Sequence, residues 1–413
     1  MKLKANKRRN VLLKILSVLG PGVVTAALVF GPSKMTITSK MGADFSFDLL
    51  WVVVVAIFFM LIFTNMSARI GASNRETLLT LIRRRMGKWS SLFIGIGIFL
   101  VATSFQAGNS TGVGIALGEA TGTDAGLWVI LFNLMGIGLL FFRSFYRVLE
   151  KVMLTLVILM LACFLTTVLL IDIPVGAVLG GLRPTLPTGS IGLVVAFIAS
   201  CFSLVGAFYQ SYLVQEKRKT LGADEMELDR PFLSSTVGIL ILGLMSAVVL
   251  ICAGAVLHPA GIRVNSASEM GLALAPLFGD MASHLFLVGL FGASFSSLVG
   301  NAVLGGSLLG DALGLKSGLE NNKVKALIAL VMLFGAVISV VFNHLPLELI
   351  VLAQSVTIFL VPFIGFSIWW MAGQSDIMGE QVNTPFQRVA GAVGLLLIVL
   401  LAVVNFDVLF LTS

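Results

Sequence analysis

Gly20-Pro-Gly-Val-Val-Thr-Ala-Ala-Leu-Val-Phe-Gly-Pro-Ser-Lys34 lies inside the first apolar run of the chain and contains two Gly-Pro steps. Proline removes a backbone donor and collides with the preceding helical turn, so a helix through Gly31-Pro32 is expected to kink or unwind. Backbone freed in that way survives in a membrane only where it packs within protein or lines a cavity. Lys34 stands two residues beyond the second proline. A broken helix with a cation beside the break is the feature that decides the reading.

The surrounding chain supports a membrane setting. Of its 413 residues 58% are hydrophobic and only 11% charged, a balance that a soluble fold of this length does not need. A spanning helix takes about 20 apolar residues. Eleven spans are expected, at 15–42 (broken), 47–68, 90–117, 126–142, 150–171, 190–214 (broken), 232–256, 282–309, 324–342, 347–372 and 387–409. The expected fold class is an all-α polytopic membrane protein forming one transmembrane domain over 1–413.

The basic N-terminus (Lys2, Lys4, Lys7, Arg8, Arg9) imitates a signal peptide, but no Ala-x-Ala cleavage pattern follows, so the first run is kept as a helix. With the N-terminus inside, every one of the 27 lysines and arginines falls on the inner side except Arg183, Arg263, Lys34 and Lys40. That bias orients the chain, N-terminus cytoplasmic and C-terminus outside. The net charge of +7 is thus a topology signal and no nucleic-acid partner is expected. The partners are the lipid bilayer and a transported small solute or ion, and the expected location is a bacterial inner (cytoplasmic) membrane.

Enzymatic patterns are absent. His258, His284 and His344 are scattered, and Cys163, Cys201 and Cys252 sit in apolar runs without metal spacing. No P-loop or dinucleotide fingerprint occurs, and no cofactor is expected. Leu78, Leu79 and Ile82 share a face of a short helix between spans two and three, leaving Arg83, Arg84 and Arg85 either to reach lipid phosphates or to form a plain basic loop. Glu119 and Asp311 fall near span ends and read as solvated caps, and Asp280 reads as interfacial. Most in-span glycines read as close helix packing.

Span six, Ile198-Ala-Ser-Cys-Phe-Ser-Leu-Val-Gly-Ala-Phe-Tyr-Gln-Ser211, carries Ser200, Ser203, Gly206, Gln210 and Ser211 along an apolar helix. Interrupted segments at matching places in two halves point to a transporter site at the midplane of an inverted repeat. Spans one and six open two five-helix halves, about 11–172 and 188–372, with 387–409 left over. Gln210 and Tyr209 read either as packing or as pathway lining.

Several stretches together resemble the Nramp divalent-metal transporters: Leu19-Gly-Pro-Gly22, Tyr146-Arg-Val-Leu-Glu-Lys151, Pro184-Thr-Leu-Pro-Thr-Gly-Ser190, Ser211-Tyr-Leu-Val-Gln215, Gly289-Leu-Phe-Gly-Ala-Ser-Phe-Ser-Ser297 and Ala353-Gln-Ser-Val-Thr-Ile-Phe-Leu-Val-Pro-Phe363. The resemblance covers nearly the whole chain. It implies a leucine-transporter-type 5+5 inverted repeat with broken helices one and six, alternating access and a divalent metal cargo. The departures fall on the working residues. Where the family's span one carries Asp-Pro-Gly-Asn, this chain has Gly31, Pro32, Ser33 and Lys34; where its span six carries Met-Pro-His, this chain has Ser203, Leu204 and Val205. Acidic residues of the family's proton route become Gln106 and Asn109, span nine lacks a mid-membrane arginine, and Gln354 alone keeps a substrate-site residue.

These changes remove the anionic and soft ligands that hold Mn²⁺ or Fe²⁺. A lysine ammonium has donors and no acceptor. At about 4 Å and an effective dielectric near 20, a pair of unit charges interacts by roughly 4 kcal/mol, and a divalent ion doubles that repulsion. Lys34 has two readings. A helix from Ile15 rising about 1.5 Å per residue has already crossed the hydrocarbon there, so the side chain could snorkel at the outer interface. The resemblance places it deeper, at a cost of about 2.5–3.5 kcal/mol that requires a partner. Three functions remain open: a divalent-cation transporter with an altered site and no family-type proton coupling, a transporter of a small organic or anionic solute, or a transport-inactive sensor or structural protein.

Overall fold

The computed structural model describes residues 30–141, 143–201, 204–220, 231–315, 321–342 and 346–411. The basic N-terminus, the first half of span one with its Leu19–Gly22 motif, Ser203 and the 221–230 segment lie outside the described residues. Every regular element among the described residues is helical. Eight helices are long and apolar enough to cross a membrane, and a bent pair brings the number to nine. With the shorter apolar helix Ala125–Leu139 and the described half of span one, Pro32–Phe45, each of the eleven expected positions carries a helix.

Local chemistry sets several boundaries. Asp124 accepts from Leu127 N at 3.1 Å and starts span four. Thr384 and Gln387 form a reciprocal capping box at the start of span eleven, with Pro385 at the first helical position, where its missing donor costs nothing. Span six is described over Ile191–Cys201 and Leu204–Thr220, and its expected break falls on residues 202–203, outside the described residues. Span ten differs from the continuous helix expected: Pro346–Phe359 and Val361–Ala372 meet at a 46° bend. Pro362 supplies the cause, since its ring cannot coexist with the preceding turn.

Pro32–Phe45 is enclosed by the bundle, packing against span seven, the first helix of span six, span ten and span three. Spans nine and eleven lie at the periphery, with Val337 and Val403 exposed towards the lipid zone. Glycine allows the tightest approach on span one. A Cβ at Gly42 would lie 2.8 Å from both Ala253 Cβ and Gly254 N of span seven, and it would also meet the Leu250 carbonyl. The Gly42→Val variant is therefore expected to lose about 1–3 kcal/mol through overpacking, seen as a lower thermal midpoint of the purified protein. An unchanged midpoint would contradict this packing.

Candidate functional site

The break in span one is built from the residues that predicted it. Gly31 is extended (φ −79°, ψ −178°), as expected of a residue before proline, and the helix starts at Pro32. Glycine allows a close approach at position 31, where a Cβ would lie 2.9 Å from Ser297 Oγ and in ordinary contact, 3.6 Å, with Asn109 Oδ1. Span three receives the turn through two more glycines one helical turn apart. A Cβ at Gly108 would lie 3.0 Å from Ser33 Oγ, and one at Gly112 would lie 2.7 Å from Pro32 Cβ.

The next two side chains tie the break to the second half of the protein. Gln354 Nε2 of span ten donates to Ser33 Oγ at 2.8 Å, with both residues buried. Lys34 Nζ donates to the main-chain carbonyl of Ser200, in helix Ile191–Cys201, at 2.8 Å. Lys34 is only 4% exposed, so the ammonium sits inside the bundle rather than at the lipid interface. Ser200 contributes this carbonyl and not its hydroxyl, which donates back to Phe197 O at 2.8 Å.

Gly31, Pro32, Ser33, Lys34, Asn109, Ser200 and Gln354 are thus brought together. Ser203 lies outside the described residues. Gly206 and Gln210 are half-buried on Leu204–Thr220, a helix that runs along span two, where Ser67 Oγ donates to Phe208 O at 3.3 Å. Gln106 takes another direction. Its Oε1 lies 3.4 Å from Asn301 Nδ2 of span eight, its side chain packs on Gly335 of span nine, and its Nε2 has no partner among the described residues. From there a neutral polar network continues along span three: Ser110 with Asn133, and Thr111 with Ser339 at 2.7 Å.

Sequence reasoning missed Ser297, Gly108 and Gly112 as parts of the break. The four-residue spacing of the two glycines was the available signal. Among the described residues no group of three or more His, Cys, Asp or Glu gathers.

The two ends of the bundle are closed by polar contacts. At the end where span three begins, helix Leu78–Met86 buries Leu78, Leu79, Leu81 and Ile82, and its arginines meet protein partners. Arg83 donates to the carbonyls of Asp311 and Ala312, Arg84 pairs with Glu76 at 3.1 Å, and Arg85 pairs with Asp376. The cause is position: the helix docks across the end of span eight, where free carbonyls attract cations. Asp311 is likewise not simply solvated, since Tyr212 of span six donates to it at 2.6 Å. Leu79 N in turn donates to the Tyr212 hydroxyl at 3.3 Å. At the opposite end Glu119 accepts from Ala267 N at 2.9 Å and Ser268 N at 2.7 Å, capping the short helix Ala267–Gly271. Lys40 Nζ donates to Val264 O at 2.7 Å and anchors the far end of span one.

Comparison with known proteins agrees with this architecture. The model of the Nramp family, described as natural resistance-associated macrophage protein-like, matches residues 22–406. A divalent metal cation transporter MntH of Deinococcus radiodurans is 26% identical over 397 residues, covering 94% of this chain and 89% of that protein. An MntH of Mycobacterium tuberculosis is 25% identical over 406 residues, covering 96% and 91%. Among solved structures, a manganese transporter of Eremococcus coleocola is similar with a TM-score of 0.78 at 19% identity, covering 95% of this chain and 86% of that one. The nucleobase-cation-symport-1 family transporter MHP1 is similar at 0.55 with 18% identity, covering 96% and 94%. The structural likenesses concern the fold, whereas the family match spans most of the chain: this protein belongs to the Nramp family of integral membrane transport proteins.

Proposed function

We propose that the chain is a secondary transporter of the Nramp fold in which Lys34 is a tethered cation, standing where the resemblance puts a metal ligand. The observation that carries this reading is the 2.8 Å bond from the Lys34 ammonium to the Ser200 carbonyl inside the bundle. A divalent ion about 4 Å from that ammonium would be repelled by roughly 8 kcal/mol at an effective dielectric near 20. The neutral groups beside it, Ser33, Asn109 and Gln354, cannot offset such a term for an ion stripped of its water. A dehydrated Mn²⁺ is therefore not the cargo of this site while Lys34 is charged. Gln106 and Asn109 offer no titratable group where the family's proton route has acids, so transport on this reading proceeds without that coupling.

A second reading is supported by the relatives, which are named divalent metal cation transporters. In this case the cation keeps its water shell and meets only neutral oxygens at the break. On either reading the two halves, about 11–172 and 188–372, move against each other around the broken spans, with the end of the bundle that holds Leu78–Met86 facing the cytoplasm.

Three measurements test the proposal. Proteoliposomes holding the full chain are expected to take up a solute from a panel of Mg²⁺, Mn²⁺, amino acids and small anions, with little saturable Mn²⁺ entry. Saturable Mn²⁺ uptake with accompanying proton entry would overturn the altered-site reading, and no uptake of anything would leave a transport-inactive protein. Exchanging the cation for a carboxylate in Lys34→Asp should raise Mn²⁺ binding by at least about tenfold, the effect of about 1.4 kcal/mol; calorimetry showing no gain would count against the tethered-cation role. Tyr212→Phe removes the donor to Asp311 and should cost about 1.5–3 kcal/mol of closure at the cytoplasmic end. Faster cysteine labelling at introduced sites near that end would report it, and unchanged labelling would argue against a closing contact.

A further inference from the structure

Lys34 is a buried amine, and among the described residues no aspartate or glutamate is recorded as its ion-pair partner. Part of this follows from sequence alone. The first acid in the chain is Asp44, and the aspartates and glutamates among the described residues stand in connections or within about two turns of a helix end. Arg84 pairs with Glu76 and Arg85 with Asp376 at the end of the bundle that holds Leu78–Met86, away from the break. The Ser200 carbonyl offers Lys34 a dipole and not a charge. Ionisable groups buried in a membrane normally face a charged partner or a substrate path.

The backbone adds to the same imbalance. Pro32–Phe45, a 14-residue helix, begins at the buried break with no side-chain cap and no acid in its first turn. Its partial positive end therefore lies in the same buried region as the ammonium. Ser33, 7% exposed, accepts from Gln354, and a hydroxyl can donate as well as accept. The interior of the break thus gathers a cation, a helix amino end and a hydroxyl donor.

Resting on the transporter reading above, we propose that the cargo brings the missing negative charge: the site takes a small solute bearing a carboxylate. Lys34 is its counter-ion, and Ser33 is a neutral donor beside it. An ammonium has three N–H groups, so Lys34 keeps the Ser200 carbonyl while donating to the carboxylate. A two-oxygen anion suits donors carried on successive residues better than a spherical halide does, because each oxygen meets a separate donor. Bound this way, the solute links the span-one break to Ser200 in span six, so its arrival and departure bear directly on the contact between the two halves.

The test uses the full-length protein in lipid nanodiscs, titrated with sodium acetate, L-lactate and L-alanine. Sodium chloride and sodium phosphate at matched ionic strength form the inorganic arms. At least one carboxylate is expected to raise the thermal midpoint saturably and to give a calorimetric isotherm, whereas chloride and phosphate are not. Lys34→Gln should weaken that binding by more than about tenfold, as loss of one partner of a buried charge pair does; Lys34→Arg should keep it within a few-fold. If Lys34→Gln does not fold, Ser33→Ala provides the second variant, expected to weaken binding several-fold without removing the charge. The proposal is overturned if no carboxylate binds the wild type, if chloride or phosphate binds as well as the carboxylates, or if binding survives unchanged in Lys34→Gln and Ser33→Ala. Uptake of Mg²⁺ by proteoliposomes in the absence of any carboxylate binding would overturn this inference and leave the transporter reading standing. Absence of all uptake would instead remove the transporter reading.

Discussion

One hydrogen bond, from the Lys34 ammonium to the Ser200 carbonyl, ties the start of the first half of this protein to the start of the second. A charged lysine in the middle of a membrane protein costs several kcal/mol unless it is paired or bonded, so this contact constrains everything around it. Helix Pro32–Phe45 must begin where the side chain can reach span six, and Gly31-Pro32 makes it begin there. Span three must leave room for the turn, and Gly108 and Gly112 provide that room. Gln354 holds the neighbouring hydroxyl in place. Beside Lys34 the buried polar side chains Ser33, Asn109 and Gln354 are all neutral.

The polar contacts at the two ends show the same economy of charge. Arginines on Leu78–Met86 serve helix carboxyl ends and nearby acids, and Glu119 serves the amino end of a short helix at the opposite end. Charge is concentrated at the ends, where water screens it, and the interior keeps amides and hydroxyls: Gln106, Asn133 with Ser110, and Thr111 with Ser339. Against that neutral interior a single buried ammonium is conspicuous, and both the proposed loss of dry-metal binding and the proposed carboxylate cargo follow from it.

Much of this architecture was legible in the sequence because membrane folding leaves strong local marks. Apolar runs about 20 residues long located the spans, and Gly31-Pro32 located the break. The parts that were not legible depend on three-dimensional proximity. Gly108 and Gly112 read as ordinary close-packing residues; the packing is real, but what they accommodate is Pro32 and Ser33. Ser200 was singled out for its hydroxyl, while its carbonyl makes the contact, and every residue type owns a carbonyl. Pro362 carried a signal for the bend in span ten that went unused. Arg83 could not be assigned to the end of span eight from a helix pattern alone, because the acceptors, Asp311 and Ala312, lie far away in sequence.

The central claim is that the lysine ammonium occupies the place a metal would take. Anomalous diffraction from crystals soaked in Mn²⁺, with data collected across the manganese edge, tests it most directly. The expected result is no anomalous peak among Ser33, Ser200 and Gln354, with continuous density from Lys34 to the Ser200 carbonyl. A manganese peak coordinated by those residues, with the lysine side chain displaced from Ser200, would contradict the account.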